Sequence, residues 1–159
     1  PAPSMDLASR VLAIAAPGLR PPRSIREAGD PPIVQATTAE RFGPDLCGAV
    51  PREVEAVGSG SVAVICPTGW VDRVEAALSA GGVDFGQAHR GRFDHQVTVA
   101  PITLVKGLEL DACIVVDPQA VLDGEYRGAQ TLYVGLTRAT KRLSIIHEQA
   151  LPSVLRAPD

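Results

Sequence analysis

Two apolar, β-branched runs constrain this chain more than anything else in it. Ser61 to Cys66 and Ala112 to Asp117 carry no charged side chain until Asp117. A strand with one wet face alternates apolar and polar residues, whereas a strand covered on both faces reads as a continuous apolar run. Both runs therefore predict central strands with helices over each face. Ile33 to Thr37, Gln96 to Pro101 and Arg142 to His147 read as further strands. Between them, helical spacing recurs over Asp45 to Val57, Trp70 to Leu78 and Gln130 to Thr140. Such alternation implies right-handed crossovers and an α/β fold built on an open parallel sheet with helices on both faces. A further helix is expected over Asp6 to Ala16 and a Pro- and Arg-rich loop over Leu19 to Pro32. Pro51 is expected to break or restart its helix, Thr68 to cap the next one, Asp84 to Asp94 to be irregular, and Pro118 to Asp123 to form a short turn or helix.

At 159 residues the chain fits a single domain, 1–159, that buries roughly 70% of its unfolded surface. A net charge of −3 excludes a protein that holds polyanions by bulk electrostatics, so any nucleic-acid contact has to be local. Cys47, Cys66 and Cys113 are odd in number and show no CxxC spacing, which predicts reduced thiols in a cytoplasmic protein and no metal site. No apolar run approaches the roughly 20 residues of a membrane span, so no membrane partner is expected. The start at Pro1-Ala2-Pro3-Ser4 has no secretory leader pattern and reads as the beginning of a piece of something longer.

The chemistry gathers in two segments, Val105-Lys106-Gly107-Leu108-Glu109-Leu110-Asp111 and Leu132 to Leu143, which contain both lysines of the chain, Lys106 and Lys141. Each is read as joining a strand to a helix. Ligands of open α/β sheets sit beyond the carboxyl ends of the strands, which is where Lys106 to Glu109 is expected. Gly107 permits close backbone approach, free N–H groups attract an anion, Lys106 adds a charge, and Glu109 can accept a bond from a sugar hydroxyl. Arg138, on a helix packed through Leu132, Tyr133 and Leu136, can present a rigid fork to a phosphate. Aimed at the γ-phosphate of a nucleotide on another domain, it would be an arginine finger worth roughly 10³ to 10⁵ in rate. The alternative is an ordinary turn with solvated Lys106 and Glu109, and an Arg138 that merely compensates a helix dipole. Nothing matches GxxxxGK[ST], because Gly58-Ser59-Gly60 has no lysine after it, and no strand-ending Asp-Glu pair offers to hold Mg²⁺. These segments look like half of a phosphate site, and the chain alone is expected to be inactive. Arg90-Gly91-Arg92 is a small basic patch, readable as a solvated loop or a phosphate contact. His89, His95 and His147 are too scattered for a metal or a triad.

Together the two segments resemble motifs V (about 103–111) and VI (about 132–143) of the second, C-terminal RecA-like domain of superfamily 1 helicases of the UvrD, Rep and PcrA type, a P-loop NTPase-type fold that here lacks its own Walker A loop. The resemblance implies an ATP-dependent helicase or translocase in which Lys106, Gly107, Glu109 and Arg138 bind ATP, with Glu109 at the ribose and Arg138 at the γ-phosphate. ATP and Mg²⁺ would be held mainly by a first RecA-like domain, the expected partner together with single-stranded or duplex DNA. The family's Thr-x-His pair, which touches single-stranded nucleic acid, is Pro101 and Thr103 here, leaving Thr103 as the candidate contact. Leu110 replaces the usual Phe and Gly135 the usual Ala. Leu19 to Glu27 and the short spacing between the motifs are similar to HelD-like ATPases, which recycle RNA polymerase. A non-catalytic α/β interaction module is the reading from another class.

Overall fold

The computed structural model describes residues 31–156. The expected helix over Asp6 to Ala16, the segment Leu19 to Glu27, and nearly all of the Leu19 to Pro32 loop lie outside the described residues. The elements are β1 (Ile33–Ala36), α1 (Phe42–Val57), β2 (Val62–Cys66), α2 (Val71–Ala80), β3 (Gly86–Gln87), β4 (Val97–Pro101), β5 (Leu110–Val116), α3 (Pro118–Gly124), α4 (Gly128–Leu136) and β6 (Ala139–His147). They form one six-stranded sheet in the order β1-β6-β5-β2-β4-β3, parallel at every pairing.

Helices cover both faces, as the apolar runs require. On one face Leu46, Val50, Val74 and Leu78 of α1 and α2 pack against Val64, Val99 and Ile114. On the other, Val121, Leu132 and Leu136 of α3 and α4 pack against Ile65, Cys113, Val115 and Ile145. All five residues of β2 are buried, and so are the last five of β5. Each fully buried Leu, Ile or Val contributes roughly 1.5–3 kcal/mol from leaving water. No helix among the described residues is long and apolar enough to cross a membrane.

Four sequence expectations are corrected. Helix α1 runs unbroken through Pro51. The proline costs it one backbone hydrogen bond, while burial of Phe42, Leu46, Ala49 and Val50 on either side holds the helix together. Thr68 caps nothing with its side chain; it opens a short 3₁₀ turn, and its own N–H is taken by the Glu125 carboxylate at 2.7 Å. Helix α4 ends at Leu136 and β6 begins at Ala139, so Thr140 and Lys141 belong to a strand. The stretch expected to be irregular contains the edge strand β3, a 3₁₀ turn over Ala88–Arg90, and a return in which Arg92 bridges back to Gln87.

Since all strands run the same way, the sheet has a rim of amino ends, at Val62, Val97, Leu110 and Ala139, and a rim of carboxyl ends, at Cys66, Pro101, Val116 and His147. Between β4 and β5 there is no α-helix. Residues 102–109 travel from the carboxyl rim to the amino rim across the α4 face, anchored by Ile102 and Val105, which are buried in its core.

Candidate functional site

That crossover decides where the first chemical segment lies. The sequence reading put Lys106 to Glu109 beyond the carboxyl ends, as a strand-to-helix turn; the structure puts it at the amino rim, as a turn leading into β5. The 3₁₀ turn Ile102–Leu104 and a second turn, closed by the Leu108 N–H on the Val105 carbonyl at 3.0 Å, turn the chain down to Leu110. Gly107 sits at φ 85°, a conformation a side chain adopts only with strain, and a Cβ there would meet nothing within 4 Å. Lys106, Gly107 and Glu109 are exposed, and neither charged side chain has a hydrogen bond or ion pair among the described residues. Thr103 and Leu104, also exposed, remain behind at the carboxyl rim. Thr103 is thus on the opposite rim from Lys106, Gly107 and Glu109.

The second segment arrives at the same amino rim. The Leu110 N–H donates to the Arg138 carbonyl at 3.1 Å, and the Thr140 hydroxyl donates to the Leu110 carbonyl at 3.2 Å. Leu110 pairs with Ala139 but Ala112 with Arg142, so β6 carries one extra residue in a bulge opposite Asp111. Lys141 reaches Asp111 across it at 3.3 Å. Asp111 also accepts the Ser61 N–H at 2.8 Å; that bond first, and the lysine after it, hold its carboxyl below the usual range. Lys141 and Asp111 are thus occupied in stapling β6, β5 and the start of β2 together, which removes Lys141 from the pool of phosphate-handling charges.

Arg138 lies just past the end of α4, half-buried and outside the core. Its Nε donates to the Val134 carbonyl at 3.0 Å and its Nη2 to the Thr137 hydroxyl at 3.2 Å. Among the described residues no carboxylate pairs with it, and the remaining donors of the fork make no hydrogen bond. Gly135 of α4 lies against the crossover: a Cβ there would stand 2.7 Å from Cδ1, the flexible tip of Ile102, and 3.9 Å from Ile65 of the sheet. The departure from Ala at this position is therefore matched by the isoleucine that begins the crossover. Tyr133, assigned from its spacing to the packed face alone, is more than that. Its hydroxyl is buried with no partner among the described residues, and burial pushes its pKa up against the opposing charge of Arg138. Periodicity carries no signal for such an orphaned hydroxyl.

Beneath the rim, β6 is bolted to α1 through a fully buried carboxylate. Glu53 accepts two bonds from Arg142, at 2.8 and 3.2 Å, and one from Arg52 at 2.9 Å, while Arg52 also reaches the Ser144 hydroxyl at 3.1 Å. Burial works to raise the Glu53 pKa, but the guanidinium bonds outweigh it and keep the group below its ordinary value. The sequence reading missed this cluster.

At the carboxyl rim the charges close on one another. Asp117, buried and at φ 48°, accepts the N–H groups of Glu148 and Gln149 at 2.8 and 3.1 Å, and burial pushes its carboxyl up despite them. The Arg73 guanidinium lies 4.5 Å from the ring centroids of both Phe42 and Trp70 and pairs with Glu148. The three cysteines form no disulfide, and burial holds Cys66 up at about 12, so it is no nucleophile. Among the described residues no three His, Cys, Asp or Glu side chains group as metal ligands.

Among solved structures the chain is similar to the C-terminal domain of a possible DNA helicase from Lactobacillus plantarum WCFS1, with a TM-score of 0.69 and 23% identity over 94% of this chain and 88% of that one. It is also similar to the Sulfolobus solfataricus SWI2/SNF2 ATPase core in complex with dsDNA, with a TM-score of 0.52 and 16% identity over 72% of this chain and 27% of that one. No protein-family model and no curated protein matches the chain. At these identities the likeness carries the fold alone, a RecA-like α/β domain.

Proposed function

We propose that residues 1–159 are the C-terminal motor domain of an ATP-dependent helicase or translocase-like protein, supplying half of an ATPase site. The single observation that carries the reading is the stapling of two chemical segments at one rim, Leu110 to Arg138 and Thr140 to Leu110, with Lys106, Gly107 and Glu109 left open beside them. In this reading Arg138 is the catalytic arginine finger, Lys106 meets phosphate, and Glu109 accepts from the ribose. These residues fit only part of a nucleotide, since Gly58-Ser59-Gly60 offers no lysine-bearing phosphate loop and the sequence has no strand-ending Asp-Glu pair for Mg²⁺. A first RecA-like domain would therefore hold ATP and Mg²⁺, and the bound metal would neutralise developing phosphate charge. Arg138 would exchange its bonds to Val134 and Thr137 for the γ-phosphate on closure of the two domains.

DNA is the proposed track, with Thr103 its contact on the opposite rim; the solved ATPase core with a related fold is itself in complex with dsDNA. Replacement of the Thr-x-His pair by Pro101 and Thr103 favours a second reading, an ATPase of HelD type that remodels RNA polymerase. Stimulation of turnover by single-stranded DNA supports the track; co-purification with polymerase and weak stimulation support remodelling. The test of the shared claim is Arg138→Ala in the protein that carries both domains. ATP turnover should fall by about 10³ to 10⁵ with an unchanged unfolding midpoint; unchanged turnover returns the chain to a non-catalytic interaction module.

A further inference from the structure

The last turn of α4 is closely bonded except at one atom. The Thr137 N–H reaches the carbonyls of Tyr133 and Val134 at 3.2 Å each, and its hydroxyl reaches both at 3.0 Å. The Arg138 guanidinium lies back along the same turn, on the Val134 carbonyl and the Thr137 hydroxyl. The Tyr133 ring packs against the core of the α4 face, and its hydroxyl is buried with no partner among the described residues. Such a group destabilises the fold, because it gives up water and gains no bond in exchange.

Closure of the domains changes what this turn has to hold. A guanidinium carries more N–H donors than a bidentate grip on phosphate can use. Unless the far edge of the fork also meets an acceptor, the long side chain keeps much of its rotamer freedom and the grip is loosely aimed. The other acceptors of this corner are taken: the Tyr133 and Val134 carbonyls by Thr137, the Gly135 carbonyl by the Arg138 N–H, and the Asp111 carboxylate by Ser61 and Lys141. The Tyr133 hydroxyl is the acceptor left over. The charge of Arg138 already works against burial on this phenol, so the two groups lie within electrostatic reach of each other.

We infer that Tyr133 is a positioning residue for Arg138: on closure its hydroxyl oxygen accepts an N–H from the far edge of the guanidinium, while the near edge meets the γ-phosphate. The hydroxyl is then unpartnered only in the open state, which tilts the domain toward closing on nucleotide. Tyr133 touches no substrate and acts through Arg138. This role rests on the reading of Arg138 as the arginine finger and goes beyond it.

The test is Tyr133→Phe in the protein that carries both domains, which removes the oxygen and keeps the ring. Its kcat for ATP hydrolysis should fall about tenfold or more, the value of one hydrogen bond to a charged group, with KM changed by less than about twofold. Its unfolding midpoint should hold or rise, because the deleted hydroxyl had no partner among the described residues. On an Arg138→Ala background the same change should cost nothing further, the mark of two groups acting as one. A kcat within about twofold of the parent overturns the inference. So does a loss that comes with a lowered midpoint, or one that recurs in full without Arg138, since either makes Tyr133 a packing residue and no more. Unchanged turnover in Arg138→Ala alone removes the arginine-finger reading and this role with it, whereas a silent Tyr133→Phe beside a collapsed Arg138→Ala removes only the role.

Discussion

The two rims of the sheet are built on different plans. At the amino rim two loops are stapled to each other atom by atom, and a few discrete groups are left over: Lys106, Gly107 at positive φ, Glu109 and the Arg138 fork. At the carboxyl rim the charges close on one another instead, around the buried Asp117 and the half-exposed Arg73. A small, highly charged ligand needs a few donors held rigidly, because a misplacement of about 1 Å can cost roughly a hundredfold. The same strands thus leave free groups at one rim and mutually paired charges at the other.

If rigidity distinguishes the amino rim, loosening its foundation should be costly. Glu53→Gln leaves Arg142 and Arg52 without their buried counter-charge and should cost about 3–5 kcal/mol, lowering the unfolding midpoint by roughly 10 °C. The parent's acid sensitivity carries the sign. The Glu53 carboxyl is held below its ordinary value of 4.5, so its contribution is complete above that value and fades as the pH falls through the lower folded one. The variant's stability should therefore change less across that window; an unshifted midpoint and an identical acid limb would mean that β6 is held by apolar packing alone.

The comparison sharpens further between the two lysines, which composition alone makes equivalent. Lys106→Ala in the two-domain protein should lower ATP affinity or turnover by about tenfold, the value of one charge-assisted bond to phosphate. Lys141→Ala removes an ion pair whose lysine is 64% exposed, and should change stability by no more than about 1 kcal/mol and turnover by less than twofold. Equal losses would merge the staple with the site and erase the distinction.

How far the sequence revealed this follows from where the signals lie. Val62 to Cys66 and Ala112 to Val116 announce themselves because burial on both faces leaves no polar position to interrupt the run. Lys106-Gly107 and Arg138 stand out because each is a departure from an apolar background. The rim on which they lie was not legible, since residues 102–109 cross the sheet without the helix that usually makes a crossover visible, held only by Ile102 and Val105. The end of α4 was blurred because Thr137 to Lys141 suits a helix terminus as well as a strand edge, and only the pairing of Leu110 with Ala139 decides between them. Glu53 lies in Pro51-Arg52-Glu53-Val54-Glu55, a stretch that reads as a solvated helical face, and its burial is a fact of tertiary structure.

The central claim, that Arg138 acts on a nucleotide held by another domain, is tested most directly by complementation in trans. The first RecA-like domain, prepared separately, is assayed for ATP hydrolysis alone, with this chain, and with its Arg138→Ala variant. The account predicts that this chain neither hydrolyses ATP nor binds it tightly by itself, that adding it accelerates the first domain by orders of magnitude, and that the folded variant restores almost none of that gain. Equal acceleration by parent and variant, or hydrolysis by this chain alone, would contradict it.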